Sequence, residues 1–351
     1  MKIIFLGTPE FAVPFLAALH ESRHEVALVV TQPDKPKGRG QKLAAPPVKE
    51  KALKLGYPVA QPVSLKTPEF HELVRAQGAD LLVVVAYRIL PDTLFPLARY
   101  GAVNLHGSLL PKFRGAAPIQ WAVATGEFET GVTVFQLDRE IDHGGILARA
   151  ATPIGPEETS ADLFARLREM GKDLLMRTLD DLEAGRARPE PQDHSLSSPA
   201  PKLKKEDGRL DWSLPAQVLH DRIRGFNPYP ICYTVQAQAA GSSGPARGNG
   251  SEAAREPGSG RVLRIYASRV VASGSAPESA QGEGASDKAA HGPYAAKPGD
   301  VRFSSDRHPL VATGDGWLKL VEVQWEGKPR VGGPDFVNGL QPAERENLRF
   351  A

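Results

Sequence analysis

The sequence has one cysteine, almost no net charge and no long apolar segment. Cys232 alone cannot form an internal disulfide, which fits a reducing compartment. Lys+Arg 43 against Asp+Glu 41 gives a formal net charge of +2, so a surface that binds nucleic acid has to be local. No run approaches the roughly 20 apolar residues of a transmembrane helix, and the first apolar run is too short for a signal peptide. We therefore expect a cytoplasmic protein without a membrane segment.

Several catalytic signatures are also absent. The first predicted strand runs into Gly7-Thr8-Pro9 instead of Gly-x-Gly-x-x-Gly, which disfavours a dinucleotide cofactor. The sequence contains no phosphate-binding loop and no Cys/His cluster with zinc spacing, so we predict no metal site. Ser108 lacks the Gly-x-Ser-x-Gly context of a serine hydrolase. These absences favour chemistry that uses no protein nucleophile.

Strand and helix candidates alternate from Lys2 to about Gly185, which predicts an α/β domain with a Rossmann-like parallel sheet. A segment rich in Pro and Ser follows. Short strand-like segments with turn signals come next and predict a small OB-like β-barrel domain. A chain of 351 residues is long enough for two domains. We place the α/β domain at 1–188, a linker at 189–205 and the barrel domain at 206–351.

Two low-complexity tracts, near 239–260 and 273–298, interrupt the predicted barrel. They are rich in Gly, Ser, Ala, Glu and Pro and have few large apolar residues. Such segments bury too little apolar surface to offset the entropy of ordering them. We interpret them as extended loops between strands, and recognition loops that order on binding remain the alternative.

Polar side chains follow two predicted strands between Gly101 and Ile146. Asn104 and His106 end the first strand, and Asp142 follows the second beside glycines. An amide and an imidazole N–H can stabilise a developing oxyanion, and a carboxylate can orient the imidazole or help to remove a proton. This set suits attack of a neutral nucleophile on a carbonyl. From spacing alone, the more common interpretation is that these residues cap a loop or a helix.

Motifs across the chain resemble those of a known family. Asn104-Leu-His-Gly-Ser-Leu-Leu-Pro111, with Asp142-His-Gly144 downstream, resembles the signature of the folate-dependent formyltransferases. The following Lys112-Phe-Arg-Gly-Ala-Ala-Pro-Ile-Gln120 is similar to the branch that acts on methionyl-tRNA. The similarity covers nearly the whole chain outside the low-complexity tracts. It includes the segments 3–9, 31–34, 62–65, 208–213, 226–230 and 311–316.

The resemblance implies an activity and its residues. In this family, 10-formyltetrahydrofolate donates its formyl group to the α-amino group of methionine on the initiator tRNA. Asn104 and His106 would hold the oxyanion, and Asp142 would tune His106. The residues implied to lie along the folate or near its pterin are Ser108, Leu109, Leu110, Pro111, Val85, Tyr87 and Leu90. We expect a monomer with initiator Met-tRNA as its partner.

A basic loop between the second predicted strand and the next helix resembles the tRNA-contacting insertion of this branch. Its cationic residues are Lys35, Lys37, Arg39 and Lys42. Charges on a glycine-rich loop suit contact with phosphates, and Arg39 lies between two glycines, from where it can enter a groove or stack on a base. Without the resemblance, a solvated surface loop is the simpler interpretation.

The sequence departs from the family near the predicted pocket. The family has Ala-Tyr-Gly and one further residue before Ile-Leu-Pro, whereas this chain has the shorter Ala86-Tyr-Arg-Ile-Leu-Pro91. Glu140 and His143 stand where the family often has Gly and Thr. Two other functions stay open: a formyltransferase that acts on a sugar-nucleotide amine, and a tRNA-binding protein without catalytic activity.

Overall fold

The computed structural model describes residues 1–37, 42–237, 260–271 and 296–351. Arg39 and nearly all of the two low-complexity tracts lie outside these residues, and the predictions made for them lie there too. The described chain separates into two compact units. Unit 1 comprises Met1–Ala122, Phe128–Gly155 and Asp162–Lys202, and unit 2 comprises Val123–Glu127, Pro156–Ala161 and Leu203–Ala351.

Strands and helices alternate through the first part of the chain. The strands are β1 (Lys2–Gly7), β2 (Glu25–Val30), β3 (Lys35–Lys37), β4 (Lys42–Ala44), β5 (Val59–Ala60), β6 (Leu81–Val85), β7 (Ala102–His106), β8 (Arg114–Gly115), β9 (Glu129–Gln136), β10 (Ile146–Pro153) and β11 (Pro199–Ala200). The helices are α1 (Val13–Glu21), α2 (Pro47–Lys54), α3 (Pro68–Ala76), α4 (Pro118–Ala124) and α5 (Ser160–Glu183).

The main sheet of unit 1 has the strand order β10-β9-β7-β6-β1-β2-β5. The strands from β7 to β5 in this order run parallel, which confirms the predicted Rossmann-like sheet. At the other edge, β9 pairs antiparallel with β7, and β10 pairs antiparallel with β9. The sheet is therefore mixed, with its antiparallel strands at this edge. Residues 137–145 join β9 to β10 without a crossover helix, and a connection of this kind returns the chain antiparallel.

The apolar centre of this sheet places the carboxyl ends of β6 and β7 side by side. Strand β6 is the continuous apolar run Leu81–Val85, and every one of its residues is buried. Val84 of β6 is in register with Asn104 of β7. Ligands of open α/β sheets bind where the carboxyl ends of strands meet. The polar carboxyl end of β7 therefore lies where ligands of this kind of sheet bind.

Part of the segment predicted as a linker pairs with strands of unit 1. Glu190 and Ile146 exchange two backbone hydrogen bonds, each 2.8 Å long. Strand β11 pairs parallel with β8, with Pro199 opposite Arg114. Residues as far as Lys202 therefore belong to unit 1 by their contacts.

Unit 2 is built on a separate antiparallel sheet. Its strands are β12 (Cys232–Val235), β13 (Val262–Val270), β14 (Val301–Phe303), β15 (Pro309–Ala312), β16 (Trp317–Trp325) and β17 (Val331–Gly332), and its helices are α6 (Ala216–Gly225), α7 (Gly333–Asn338) and α8 (Pro342–Asn347). The order is β12-β13-β16-β15-β14, and β17 pairs with β16. Helix α6 packs against β13. This separate antiparallel sheet confirms that a β domain follows the α/β domain, as predicted. In the described part of the chain, no helix has both the length and the apolarity needed to cross a membrane.

Cys232 lies in the core of unit 2, and we predict that its thiol does not react in the folded protein. The side chain is fully buried, and this burial raises the pKa of Cys232 to about 12. A pKa above the working pH keeps the thiol protonated, and the thiolate is the form that an alkylating reagent attacks. Iodoacetamide at pH 8 should modify the native chain far more slowly than the chain unfolded in urea. Alkylation of glutathione under both conditions is the control for the reagent. Equal rates of alkylation of Cys232 in the native and the unfolded chain would contradict its burial.

Candidate active site

Asn104 and His106 lie two residues apart on β7, so their side chains point to the same face of the sheet. The His106 side chain is 6% exposed, and its ring meets the ring of Phe135 edge to face, with 6.4 Å between the centroids. The Asn104 Oδ1 atom is buried and has no hydrogen-bond partner among the described residues. Buried polar atoms in proteins are nearly always paired, so this atom indicates a place where a ligand can bind.

The two ring nitrogens of His106 have different environments. Nε2 lies 2.8 Å from the backbone oxygen of Phe113. A carbonyl oxygen only accepts, so Nε2 carries a hydrogen in this arrangement and donates it to Phe113. Nδ1 faces Asp142, 3.7 Å from Oδ2. This distance is too long for a hydrogen bond but short enough for the carboxylate to stabilise a protonated imidazole.

Asp142 lies in the connection between β9 and β10, and its carboxylate is turned toward His106. Its backbone has φ of 52°, in the left-handed region that residues with a side chain rarely adopt. The Gly115 N–H donates to Asp142 Oδ2 over 2.8 Å. The structure therefore brings together all three residues predicted to be catalytic, although they come from two separate parts of the chain.

A buried glutamine holds the backbone of the Asp142 loop, which comprises residues 137–145. Gln192 Nε2 donates to the backbone oxygens of Asp142, at 3.0 Å, and Gly144, at 2.7 Å. Gln192 Oε1 accepts a hydrogen bond from Arg114 Nη2 over 2.6 Å. Only 5% of Gln192 is exposed.

Two glycines allow the backbone to pack closely around this loop. A Cβ atom on Gly144 would lie 1.8 Å from the backbone oxygen of Gln136. Gly115 has φ of +123°, and a Cβ atom there would lie 2.6 Å from the backbone oxygen of Ala200. No side chain fits at either position without a shift of the backbone.

Two histidines stack beside the Asp142 loop. The rings of His143 and His194 are 3.9 Å apart at their centroids and 4° from parallel. His143 Nδ1 lies 2.8 Å from Asp138 Oδ2, and Glu140 Oε2 lies 3.8 Å from His143 Nε2. These contacts are consistent with the structural role that the sequence favours for His143, which stays a prediction.

The residues predicted to lie along the folate form a compact turn after β7. The Ser108 hydroxyl donates to the backbone oxygen of Lys112 over 2.6 Å, and Thr133 donates to the backbone oxygen of Ser108 over 2.7 Å. Leu110 and Pro111 are buried, and Leu109 is half-buried. The Ser108 hydroxyl is thus used within the protein, and the half-buried Leu109 is the more accessible of the three apolar side chains in this turn.

The residues predicted near the pterin follow β6. Val85 and Leu90 are buried, and Tyr87 is half-buried. The Tyr87 hydroxyl is buried and has no hydrogen-bond partner of normal geometry within the described residues. Burial raises the pKa of Tyr87, and the neighbouring Arg88 offsets part of this shift. Arg88 replaces the family's glycine and donates to the backbone oxygens of Pro62 and Val63, so it anchors the shortened loop.

The described parts of the basic loop are strands β3 and β4, which pair antiparallel with Lys37 in register with Lys42; we call this pair of strands the basic hairpin. The Lys35 ammonium donates to Gln32 Oε1 over 2.8 Å. Asp34, at the base of the hairpin, accepts hydrogen bonds from Gln61 and Lys49. These two contacts hold the pKa of Asp34 below its usual range. The described part of the predicted tRNA-binding set therefore lies on a hairpin with a fixed base.

Sequence reasoning missed the contacts that support the three polar residues. Arg114 was identified only as part of a motif, and Gln192 lies in a segment rich in Pro and Ser that has no spacing pattern. The Phe113 carbonyl and the Gly115 N–H are backbone groups, which any residue supplies. The glycine at 115 was the one available signal, because it marks a close approach or an unusual backbone angle.

Two family models match this chain, one for each of its two parts. The family model described as formyl transferase matches residues 1–179, and the model described as formyl transferase, C-terminal domain, matches residues 202–341. Among solved structures, a sugar 3N-formyl transferase crystallised with dTDP and 5-N-formyl-THF has a similar fold. Its TM-score is 0.61 at 15% identity, covering 94% of this chain and 99% of that chain.

Curated relatives match at much higher identity. The methionyl-tRNA formyltransferase of Solibacter usitatus is 44% identical, covering 99% of this chain and 98% of the relative. That of Citrifermentans bemidjiense is 40% identical, covering 97% of this chain and 95% of the relative. These matches confirm the resemblance seen in the sequence motifs. The chain belongs to the methionyl-tRNA formyltransferase family.

Proposed function

We propose that this protein transfers the formyl group of 10-formyltetrahydrofolate to the α-amino group of methionine on initiator tRNA. The observation that carries the proposal is the meeting of Asn104, His106 and Asp142 at the end of β7. The relatives named methionyl-tRNA formyltransferase support the choice of acceptor. The product is N-formylmethionyl-tRNA for the initiation of translation.

The polar atoms at the ends of β6 and β7 fit a folate. Asn104 lies on β7 and Tyr87 follows β6, and these two strands pair directly with each other. Asn104 Oδ1 is buried and has no partner among the described residues, and the Tyr87 hydroxyl is buried beside Arg88. A pterin has both N–H donors and a carbonyl acceptor at its edge, so it can satisfy groups of this kind. The bound co-substrate supplies the electrophilic formyl carbon.

Asn104 stabilises negative charge on the formyl oxygen. Its amide carries two N–H donors as well as the unpartnered oxygen, and its position on β7 is fixed by pairing with β6 and β9. A fixed donor needs no reorganisation during the reaction, and one such donor contributes about 3 to 4 kcal/mol of transition-state stabilisation.

His106 and Asp142 handle the proton that the attacking amine loses. The amine reacts in its neutral form and has to release a proton after it attacks. Because Nε2–H is bonded to Phe113, Nδ1 is the ring nitrogen that accepts this proton. The Asp142 carboxylate, 3.7 Å away, stabilises the resulting imidazolium. When the tetrahedral intermediate collapses, the bond between the formyl carbon and N10 of the folate breaks, and the proton held by His106 passes to N10, so that tetrahydrofolate leaves. In this proposal Asn104 acts on the oxygen, and His106 with Asp142 acts on the proton.

The basic hairpin binds the acceptor end of the tRNA. Lys35 is exposed, and β3 and β4 carry further lysines on either side of Arg39. Lysine and arginine release counterions from phosphates, so this part of the affinity depends on salt. The hydrogen bonds of Asp34 to Lys49 and Gln61 fix the base of the hairpin to unit 1.

Formyl transfer to different acceptors tests the proposed function. The purified protein and a radiolabelled formyl donor are incubated with initiator Met-tRNA, elongator Met-tRNA or a sugar-nucleotide amine. We expect rapid labelling of the initiator tRNA and slow labelling of the other two. Preferred labelling of the sugar nucleotide would support the alternative acceptor. Binding of the initiator tRNA without transfer would support a non-catalytic tRNA-binding protein.

Replacement of His106 tests the proton-transfer role. The His106→Ala variant should lose about 10²- to 10⁴-fold in kcat, because a positioned proton-transfer group contributes about this factor. KM for the tRNA should stay within about twofold, because the ring makes no contact with the tRNA body in this proposal. His20→Ala is the matched control, since His20 is exposed on α1 and bonds to Tyr57. Near-normal turnover of His106→Ala would reject the assignment.

Replacement of Arg39 tests the tRNA contact of the hairpin. The Arg39→Ala variant should lower kcat/KM for initiator tRNA while the affinity for the folate stays unchanged. The slope of log K against log salt should fall by about 0.7 to 0.9 for each phosphate that the variant no longer neutralises. Arg39→Lys keeps the charge and thereby separates phosphate contact from stacking. Arg75→Ala on α3 is the control, and an equal loss of folate affinity in Arg39→Ala would count against the hairpin.

A further inference from the structure

Gln192 touches the Asp142 loop from a distant part of the chain, and we infer that it is a positioning residue for the reaction. It fixes the backbone of this loop so that the Asp142 carboxylate faces His106. The inference rests on the proposed function, in which Asp142 acts on the imidazole of His106. Gln192 itself contacts neither ring nitrogen of His106 and no substrate atom in this proposal.

Both hydrogens of the Gln192 side-chain amide are used in hydrogen bonds. Its NH₂ group has two hydrogens, and Nε2 has two acceptors: the backbone oxygens of Asp142 and Gly144. The oxygen of the amide accepts from Arg114. The amide therefore has one orientation, and it bridges the two carbonyls on either side of residue 143.

Asp142 needs such support because its backbone is unfavourable without it. A residue with a side chain and φ of 52° persists only where its surroundings hold it in place. The Gly115 N–H holds the carboxylate, and Gln192 holds the carbonyl of the same residue. With both contacts, the side chain and the main chain of Asp142 are fixed independently.

Gln192 is itself held on both sides along the chain. Two residues before it, Glu190 exchanges backbone hydrogen bonds with Ile146, the residue where β10 begins. Seven residues after it, Pro199 pairs with Arg114, the residue whose guanidinium binds the Gln192 oxygen. The segment that carries Gln192 is therefore hydrogen-bonded on one side to the start of β10 and on the other side to Arg114, in the stretch that follows β7.

The test replaces Gln192 in the full-length protein by residues of similar size. Gln192→Glu keeps an acceptor for Arg114 but loses both N–H donors and places an oxygen against two carbonyl oxygens. We expect kcat to fall about 10- to 100-fold, because a shift of about 1 Å in a catalytic group has an effect of this size. KM for the tRNA and for the folate should stay within about twofold. Gln192→Met, which is neutral, should show the same loss and guards against failure of the charged variant to fold.

Gln77→Glu is the matched control for these substitutions. Gln77 follows α3 and makes one exposed hydrogen bond from Nε2 to the backbone oxygen of Leu73. Its variant should keep the kcat of the wild type. An unchanged kcat in both Gln192 variants would overturn the inference. A wild type that transfers no formyl group would overturn the proposed function instead, so the two failures are distinguishable.

A double-mutant cycle separates positioning from a general structural role. If Gln192 acts through Asp142, Gln192→Glu should change kcat less than about twofold in the Asp142→Asn background. Hydrogen exchange of the Gly115 amide, which bonds to the Asp142 carboxylate, should be faster in Gln192→Glu than in the wild type. Fully additive losses in kcat, or a uniform rise of exchange across unit 1, would show a structural role and overturn the inference.

Discussion

The hydrogen bond from the Gly115 N–H to the Asp142 carboxylate joins the two loops on which the site depends. One loop follows β7 and carries the Phe113 carbonyl that holds His106. The other connects β9 to β10 and carries Asp142 itself. A charged acceptor makes this a strong hydrogen bond. It links the loop whose Phe113 carbonyl holds the His106 ring directly to the carboxylate that faces that ring.

The reversal of chain direction at the edge of the sheet makes this arrangement possible. A helix between β9 and β10 would carry the chain to the opposite end of the sheet before the next strand began. The short return begins beside Ala102, at the start of β7, and from there Asp142 reaches His106, whose ring meets that of Phe135. The direction of two edge strands is therefore part of the chemistry, because it places the Asp142 carboxylate, from a loop, beside the His106 imidazole, from β7.

Much of the fold could be predicted because apolar runs and turn residues act locally. The runs of β1 and β6, the break after Gly185 and the short strands of unit 2 each have a signal within a few residues. Strand direction has no such signal, so the antiparallel pairing of β9 and β10 could not be predicted from the sequence. The family was predictable from motifs and is confirmed by the relatives, whereas the residue roles remain predictions. The support from Gln192 could not be predicted, because it joins residues 48 and 50 positions apart through an amide in a segment of linker-like composition.

The burial of Cys232 has a practical consequence for the study of this protein in solution. Since the chain has no other cysteine and this one is inaccessible, the wild type is already a background for site-specific labelling. A cysteine introduced at an exposed position of the basic hairpin, such as Lys35, would be the single reactive site for a maleimide fluorophore. The emission of that dye would then report the approach of a nucleic acid to the hairpin in real time, with no removal of the native thiol.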